Sequence, residues 1–284
     1  MGRVLKIEMK KAFCNKMFYL IAGIGLIIAA ISAWQMIDRY FWGLENALKA
    51  TEYGSNPNHA LSMLYNNCLV TGFDQSMTAL FYTLLPLLVC LVYGWSYFGE
   101  RKSGYVMNVM IRTHKKSQYF LAKYIAVFLS GGTAAVIPLI ANFLAVACFI
   151  PAYQPDQFYE MYYSMQSHFL RDLFYTHPMI FLCVIFALDF FFGGLLAAGC
   201  VALTFFVKNK FAVILLPFMC LFGVQYLQDN VWVFLSDTYI SPMDFLRGYS
   251  GQCVSGTVIL IWAVVLLVFT LGTVWGKGAR DDVL

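Results

Sequence analysis

Residues 179–207 read MIFLCVIFALDFFFGGLLAAGCVALTFFV, with Asp189 as the single charged residue. The stretch exceeds the roughly 20 residues with which an α-helix crosses the hydrocarbon core of a bilayer. A backbone exposed to lipid must satisfy its own hydrogen bonds, which a helix does and an irregular segment does not. The stretch therefore predicts a transmembrane helix.

Five further apolar blocks follow the same pattern. The chain is 61% hydrophobic and 12% charged, whereas soluble domains carry about 25% charged residues, so the water-soluble classes are excluded. We predict an all-α integral membrane protein whose residues 1–284 form a single transmembrane domain. Its six spans are expected at about 17–37, 77–98, 120–150, 179–207, 211–227 and 258–275.

The basic residues predict the orientation of the spans. Six spans place both chain ends on one side of the membrane, and cytoplasmic segments are rich in Lys and Arg. The side that holds residues 1–16 and the loop 99–119 carries fifteen of them, against four in the loops 38–76, 151–178 and 228–257. We therefore expect cytoplasmic termini, extracellular placement of those three loops, and a multi-pass protein of the cell (plasma or inner) membrane. The fifteen are Arg3, Lys6, Lys10, Lys11, Lys16, Arg101, Lys102, Arg112, Lys115, Lys116, Lys123, Lys208, Lys210, Lys277 and Arg280, and the four are Arg39, Lys49, Arg171 and Arg247.

The N-terminal segment 1–16 has helical amphipathic spacing. Leu5, Met9 and Phe13 share one face, and lysines such as Lys6 and Lys10 occupy the others. This pattern predicts a helix that lies on the cytoplasmic leaflet and binds membrane lipid. The alternative is a positive anchor for the first span.

Asp189 is the one ionisable residue deep inside a predicted span. A carboxylate in lipid costs several kcal/mol, so the side chain is expected to face the protein interior or a wet cavity. It either lines a transport path or bonds to a polar group on a neighbouring helix. The small residues that follow permit close helix approach and predict a packing seam, within the subunit or across a dimer; they are Gly193, Gly194, Ala197, Ala198 and Gly199.

Catalytic and metal-binding patterns are missing from the sequence. The pair Gly276-Lys277 is followed by Gly rather than Ser or Thr, so no phosphate-binding loop is present. No Cys-x-x-Cys, HExxH or GxSxG pattern occurs. His168 and Asp172 make a conceivable metal or proton site, but an incidental pair on a solvated interfacial helix is favoured. We expect no cofactor, metal or enzymatic activity in this chain.

The segment after the second span, FGERKSGYVMNVMIRTHKKSQ, is the most specific stretch of the chain. A turn is expected near Gly104, and the spacing of Val106, Val109 and Met110 then predicts a short helix with one apolar face. Such a helix is typical of a docking surface for a cytoplasmic partner. The alternative is a solvated positive loop.

This arrangement resembles the permease subunits of ABC type 2 exporters. The resemblance rests on the order of features: an amphipathic N-terminal helix, six spans, an outer hairpin before the last span, and basic and aromatic residues around the loop 99–119. The residues that carry it are Glu100, Arg101, Gly104, Arg112, Lys116, Phe120 and Lys123.

The resemblance implies a division of labour between chains. The loop 99–119 is expected to form a coupling helix that docks on a cytoplasmic ATPase, two copies of which bind ATP and Mg. A second permease, identical or related, completes a dimer, and no nucleic-acid partner is expected. Residues Glu100, Arg101, Gly104, Arg112 and Lys116 are the coupling candidates, with Glu100 favoured for a salt link to the ATPase.

Two other functions stay open at this level. A non-catalytic membrane sensor or assembly protein has the same topology without an ATPase, and an integral-membrane enzyme needs converging polar groups that the spans barely supply. For an exporter, the aromatic spans favour an amphipathic substrate such as a peptide, lipid or drug. Cys68 and Cys253 lie in outer loops, where a disulfide is conceivable but two free thiols are favoured.

Overall fold

The computed structural model describes residues 2–51, 64–66, 68–71, 76–113, 116–155, 168–248 and 253–280. This part of the chain is all-helical, and its pairings of extended backbone are two isolated bridges, His168 with Val254 and Thr238 with Cys253. The predicted outer-loop stretches 52–63, 72–75 and 156–167 lie outside the described residues.

Eleven α-helices make up the described chain. They are α1 (Gly2–Phe13), α2 (Lys16–Thr51), α3 (Ser76–Val89), α4 (Ser96–Lys102), α5 (Tyr105–Thr113), α6 (Lys116–Ala147), α7 (Arg171–Thr176), α8 (Pro178–Leu203), α9 (Lys210–Asn230), α10 (Pro242–Phe245) and α11 (Gly256–Arg280).

Six of the helical segments are long and apolar enough to cross a membrane, which confirms the predicted number of spans. The chain is therefore a multi-pass membrane protein. Spans 1 to 6 are Lys16–Asn46, Ser76–Lys102, Ser117–Ala147, Pro178–Leu203, Lys210–Phe234 and Gly256–Gly276.

Helix α2 continues well past the predicted end of span 1. We placed residues 38–51 in an outer loop, but helix α2 runs through them to Thr51. Their sequence, DRYFWGLENALKAT, includes good helix formers such as Leu, Ala, Glu and Lys. Hydropathy marks where lipid ends, whereas propensity and packing determine where the helix ends.

Span 2 is interrupted near its middle. Pro86 lies in its first segment, α3, and the five residues Cys90–Gly94 then form a π-helical turn before α4 begins. Side chains close to a π turn often complete its hydrogen bonding, and Asn15 Nδ2 donates to the Val92 carbonyl at 3.3 Å. The same Asn15 caps the start of α2 by accepting from Met17 N at 3.2 Å. One side chain thus holds the α1–α2 junction against the irregular turn of span 2.

The packing seam predicted after Asp189 lies within the subunit. Helix α6 packs most extensively against α8, and glycines line the contact on both helices. A Cβ at Gly131 would lie 2.4 Å from Ala197 Cβ, and one at Gly194 would lie 2.7 Å from the Phe128 ring. Contacts this short exclude larger residues and let the backbones of α6 and α8 approach closely.

Spans 2, 3 and 4 form the centre of the bundle. In span 2, 61% of the most apolar window is buried, compared with 28% in span 5 and 17% in span 6. The bundle has two ends, the Glu100 end, which holds α1, α4 and α5, and the Asp244 end, which holds α7 and α10.

His168 helps to close the Asp244 end. Its ring lies 5.0 Å from the Phe169 ring and 5.6 Å from the Phe181 ring, its backbone pairs with Val254, and its Nδ1 accepts from Leu170 N at 3.1 Å. Burial lowers the pKa of the imidazole to about 4, since a charged ring is poorly solvated there. His168 is therefore an apolar packing element at neutral pH.

Replacing Gly131 with Ala is expected to destabilise the protein by about 1–3 kcal/mol, because the added methyl overlaps Ala197. Thermal unfolding of the purified protein in detergent measures the effect. Gly272→Ala is the matched control, since a Cβ at Gly272 has no atom within 4 Å. Equal melting temperatures for the two variants would contradict the close packing of α6 against α8 at Gly131.

The buried His168 predicts acid sensitivity of the Asp244 end. Because its folded-state pKa is lowered from 6.5 to about 4, the contribution of the neutral ring is complete above pH 6.5. This contribution, up to about 3 kcal/mol, is lost as the pH falls from 6.5 to about 4. His168→Phe should flatten the melting temperature between pH 6.5 and 4 relative to the unmodified protein. His177→Phe, at an exposed position, is the control, and an unchanged slope in His168→Phe would refute the assignment.

Candidate functional site

The segment predicted to dock a partner consists of two short helices joined by a turn at Gly104. Helix α4 closes with Ser103 N donating to Gly99 O at 3.1 Å and Gly104 N donating to Arg101 O at 3.3 Å. Gly104 has φ +72°, a left-handed conformation that L side chains rarely adopt. The turn reverses the chain, so that α5 starts beside the end of span 2.

Lys123 of span 3 lies fully buried between two carboxylates. Its Nζ is 3.0 Å from Glu8 Oε2 and 2.9 Å from Glu100 Oε2. The side chains of Lys123, Glu8 and Glu100 are 0%, 2% and 15% exposed. A buried cation is tolerated when paired and hydrogen-bonded in this way.

Two tyrosines complete the hydrogen bonding of this network. Tyr119 OH donates to Glu100 Oε2 at 2.6 Å. Lys123 Nζ donates to Tyr93 OH at 3.1 Å, and Tyr93 OH in turn donates to Glu8 Oε2 at 3.1 Å. Tyr93 belongs to the π turn of span 2, so the irregular turn places this hydroxyl in the network.

Lys11 closes the network on its outer side. Its Nζ is 3.1 Å from Glu100 Oε1 and 3.4 Å from Glu8 Oε1, and it lies 3.6 Å from the centre of the Tyr105 ring. Partial burial acts to lower the pKa of the Lys11 ammonium. Tyr105 and the two carboxylates outweigh burial, however, so the pKa is raised and the ammonium keeps its charge.

The charge network, defined as Glu8, Lys11, Tyr93, Glu100, Tyr119 and Lys123, joins elements that are far apart in sequence. It connects α1, the π turn, α4 and α6, and through Tyr105 it also contacts α5. Its two lysines balance its two glutamates. A displacement of the α4–α5 segment must therefore either carry α1 and span 3 along or separate buried opposite charges, which is costly. The arrangement is suited to transmitting a displacement.

Two members of the network were singled out from the sequence. Glu100 was a coupling candidate, and Lys123 was one of the residues that carry the resemblance. Glu8, Tyr93 and Tyr119 were missed. The signal for Glu8 was its position as the one acidic residue in the basic N-terminal segment.

The remaining coupling candidates are placed differently. Arg101 is exposed on α4, and Gly104 forms the turn that precedes α5. The side chains of Arg112 and Lys116 lie outside the described part of the structure, although their backbones are helical. Glu100 is thus the candidate that the structure places in the charge network.

Asp189 forms a second polar site, within the membrane-spanning part. Its side chain is 0% exposed, and Tyr82 OH of span 2 donates to its Oδ2 at 3.1 Å. Its Oδ1 has no hydrogen-bond partner among the described residues. One carboxylate oxygen therefore pairs with a neighbouring helix and the other is unused.

Neither predicted outer cysteine is in a disulfide. Cys68 is a buried free thiol whose Sγ donates to Leu64 O at 3.0 Å, and Cys253 is also free. Burial raises the pKa of Cys68 to about 12, which suppresses the reactive thiolate. Within the described ranges, no cluster of three or more His, Cys, Asp or Glu residues is arranged to hold a metal ion.

Comparison with models of known protein families gives no match for this chain, and no curated protein matches it significantly in sequence.

Replacing Lys123 with Met should cost about 3–5 kcal/mol of stability, because it leaves Glu8 and Glu100 buried with reduced compensation. Adding Glu8→Gln to this variant should restore part of the loss, since one unpaired charge is removed. Thermal unfolding of the single and double variants measures this coupling. Lys10→Met is the control, because Lys10 is exposed and lies on α1, the helix that carries Glu8. Its effect should stay within about 0.5 kcal/mol. Additive losses from Glu8→Gln and Lys123→Met would show that the two residues act independently.

Proposed function

We propose that this chain is the membrane-spanning permease subunit of an ATP-driven exporter of the ABC type 2 class. It works with two copies of a separate cytoplasmic ATPase and with a second permease. The observation that carries the proposal is the charge network, which ties the docking segment α4–α5 to α1 and to span 3. A permease without its own nucleotide site needs such a connection between its docking surface and its spans.

The docking surface for the ATPase is the exposed side of the α4–α5 segment. Both carboxylate oxygens of Glu100 bond within the chain, so its role in the proposal moves from direct contact to transmission. The surface is formed instead by the exposed side chains around the Gly104 turn. They are Arg101, Lys102, Ser103, Met107 and Asn108.

Closure of the ATPase dimer would push on this surface and move α1 and span 3 through the network. Span 2 is the element that yields, because Pro86 and the π turn at Cys90–Gly94 interrupt its regular hydrogen bonding. Alternating access then follows from rocking of the spans between inward-open and outward-open forms.

The same proposal sets the orientation in the plasma or inner membrane. The Glu100 end is cytoplasmic, as are both termini, and α1 lies along the leaflet. Exposed Lys6, Ile7 and Lys10 on α1 support this placement, since they suit contact with anionic headgroups and the upper acyl region.

Replacing Met107 with Glu should abolish copurification of the ATPase, because it places a carboxylate at the centre of the proposed apolar and basic contact surface. The test is affinity purification of the full chain from its native membranes. Mass spectrometry then detects a copurifying protein with a phosphate-binding loop, and ATP turnover of the complex is measured. Tyr153→Glu is the matched control, at an exposed position outside the α4–α5 segment, and it should keep at least about half of the recovered ATPase.

Two outcomes would count against the permease assignment. One is the absence of any nucleotide-hydrolysing partner from purifications of the unmodified protein. The other is equal ATPase recovery with Met107→Glu and Tyr153→Glu, which would move the docking surface away from α5.

A further inference from the structure

Asp189 lies deep within span 4, where a carboxylate oxygen without a hydrogen-bond donor is costly. It lies about 16 Å along the α8 axis from Pro178, at 1.5 Å per residue, which is near the middle of a hydrocarbon core about 30 Å thick. Ionisable side chains at this depth are costly, and those that occur mark ligand or ion pathways. Packing accounts for one oxygen, which accepts from Tyr82, but not for Oδ1, which has no hydrogen-bond partner in the described part of the chain.

Tyr82, whose hydroxyl donates to Asp189, carries two further electron-rich groups. Its backbone carbonyl receives no N–H from Pro86, four residues later in α3. Its ring presents a π face, which attracts cations. Asp189 Oδ1 and the Tyr82 ring thus both favour a positively charged group beside this pair.

An arginine from the Asp244 end already occupies part of this environment. The Arg247 guanidinium carbon lies 6.0 Å from the centre of the Tyr82 ring. Its Nη1 is 3.7 Å from Asp244 Oδ1, and its Nε has no partner among the described residues. Among the described residues, these contacts lie at the long limits of an ion pair and of a cation–π interaction.

Asp244 itself is held firmly by span 5. Its Oδ2 accepts from Gln225 Nε2 at 2.6 Å and from Gln228 Nε2 at 2.5 Å. Gln228 Oε1 also accepts from Ile240 N at 2.8 Å and from Ser241 N at 2.7 Å. The segment that carries Arg247 is thus attached to span 5, so a movement of span 5 would carry Arg247 with it.

A narrow apolar cleft adjoins Tyr82, between spans 2, 4 and 5 and helix α10. It is too narrow in this form to hold a water-sized sphere, and α10 contributes to its wall. It is lined by Tyr82, Leu85, Pro86, Leu196, Leu221, Pro242, Met243 and Leu246. An alkyl chain matches such a lining.

We infer that Asp189 and Tyr82 bind the cationic head of an amphipathic molecule, with Arg247 as the internal cation that covers this site in the closed form. The cleft beside Tyr82 receives the apolar part when α10 and span 5 move away. The inference deepens the proposed function and rests on it for its meaning in transport. It restricts the exported substrate to amphipaths that carry an ammonium or guanidinium group.

The test compares a cationic probe with a neutral one of the same length. Binding of radiolabelled dodecylamine and dodecanol is measured on the full chain in phosphatidylcholine nanodiscs, with empty nanodiscs subtracted. We expect dodecylamine to bind more tightly, by roughly tenfold to a hundredfold for a charge-assisted contact. Asp189→Asn should remove this preference, whereas Asp189→Glu should retain it. Asp38→Asn is the matched control on an exposed carboxylate of α2 and should leave the preference unchanged.

Arg247→Gln provides a second, opposite readout. Removing the internal cation should raise dodecylamine affinity severalfold and leave dodecanol unaffected. The inference is overturned if Asp189→Asn keeps the amine preference. It is equally overturned if the unmodified protein and Arg247→Gln each bind dodecylamine no more tightly than dodecanol. This second comparison does not depend on whether Asp189→Asn folds. The measurement needs no ATPase, so it fails independently of the copurification experiment.

Discussion

The ion pairs of Lys123 with Glu8 and Glu100 are the constraint on which the Glu100 end depends. A lysine with no exposed surface is stable only while both carboxylates stay within hydrogen-bonding distance. Glu8 comes from α1 and Glu100 from α4, so these helices cannot leave span 3 independently. Lys11 supplies the second positive charge. Tyr93 and Tyr119 add hydrogen bonds to the two carboxylates. The α4–α5 segment is therefore fixed to the bundle through α1 and span 3.

Span 2 connects this network with the site around Asp189. Tyr82 lies in its first segment, Tyr93 in its π turn and Glu100 in its last segment. Proline and the π turn separate the two sites, so regular helical hydrogen bonding does not lock them together. Asn15 compensates locally by bonding to the Val92 carbonyl. Span 2 is thus both the shared element of the two polar sites and the least regular helix at the centre of the bundle.

Hydropathy was sufficient to predict the six spans, because lipid imposes a length and a polarity that sequence displays directly. The Gly104 turn was also predictable, since its residue type suits the left-handed backbone. The network was only half predictable. Lys123 looked like a boundary lysine of span 3, and nothing local to it indicates Glu8, which lies 115 residues away. Long-range pairing of this kind depends on which helix faces pack together, and the amphipathic pattern of the N-terminal segment indicated the membrane rather than span 3.

The unbroken course of α2 has a mechanical consequence. Its 36 residues make a rod about 54 Å long at 1.5 Å per residue, and the chain leaves α1 at Asn15, next to the rod's first residue. A tilt of about 5° at that junction would shift Thr51 sideways by roughly 5 Å over the same length. A small rotation of α2 about Lys16 is therefore amplified into a large displacement of Thr51.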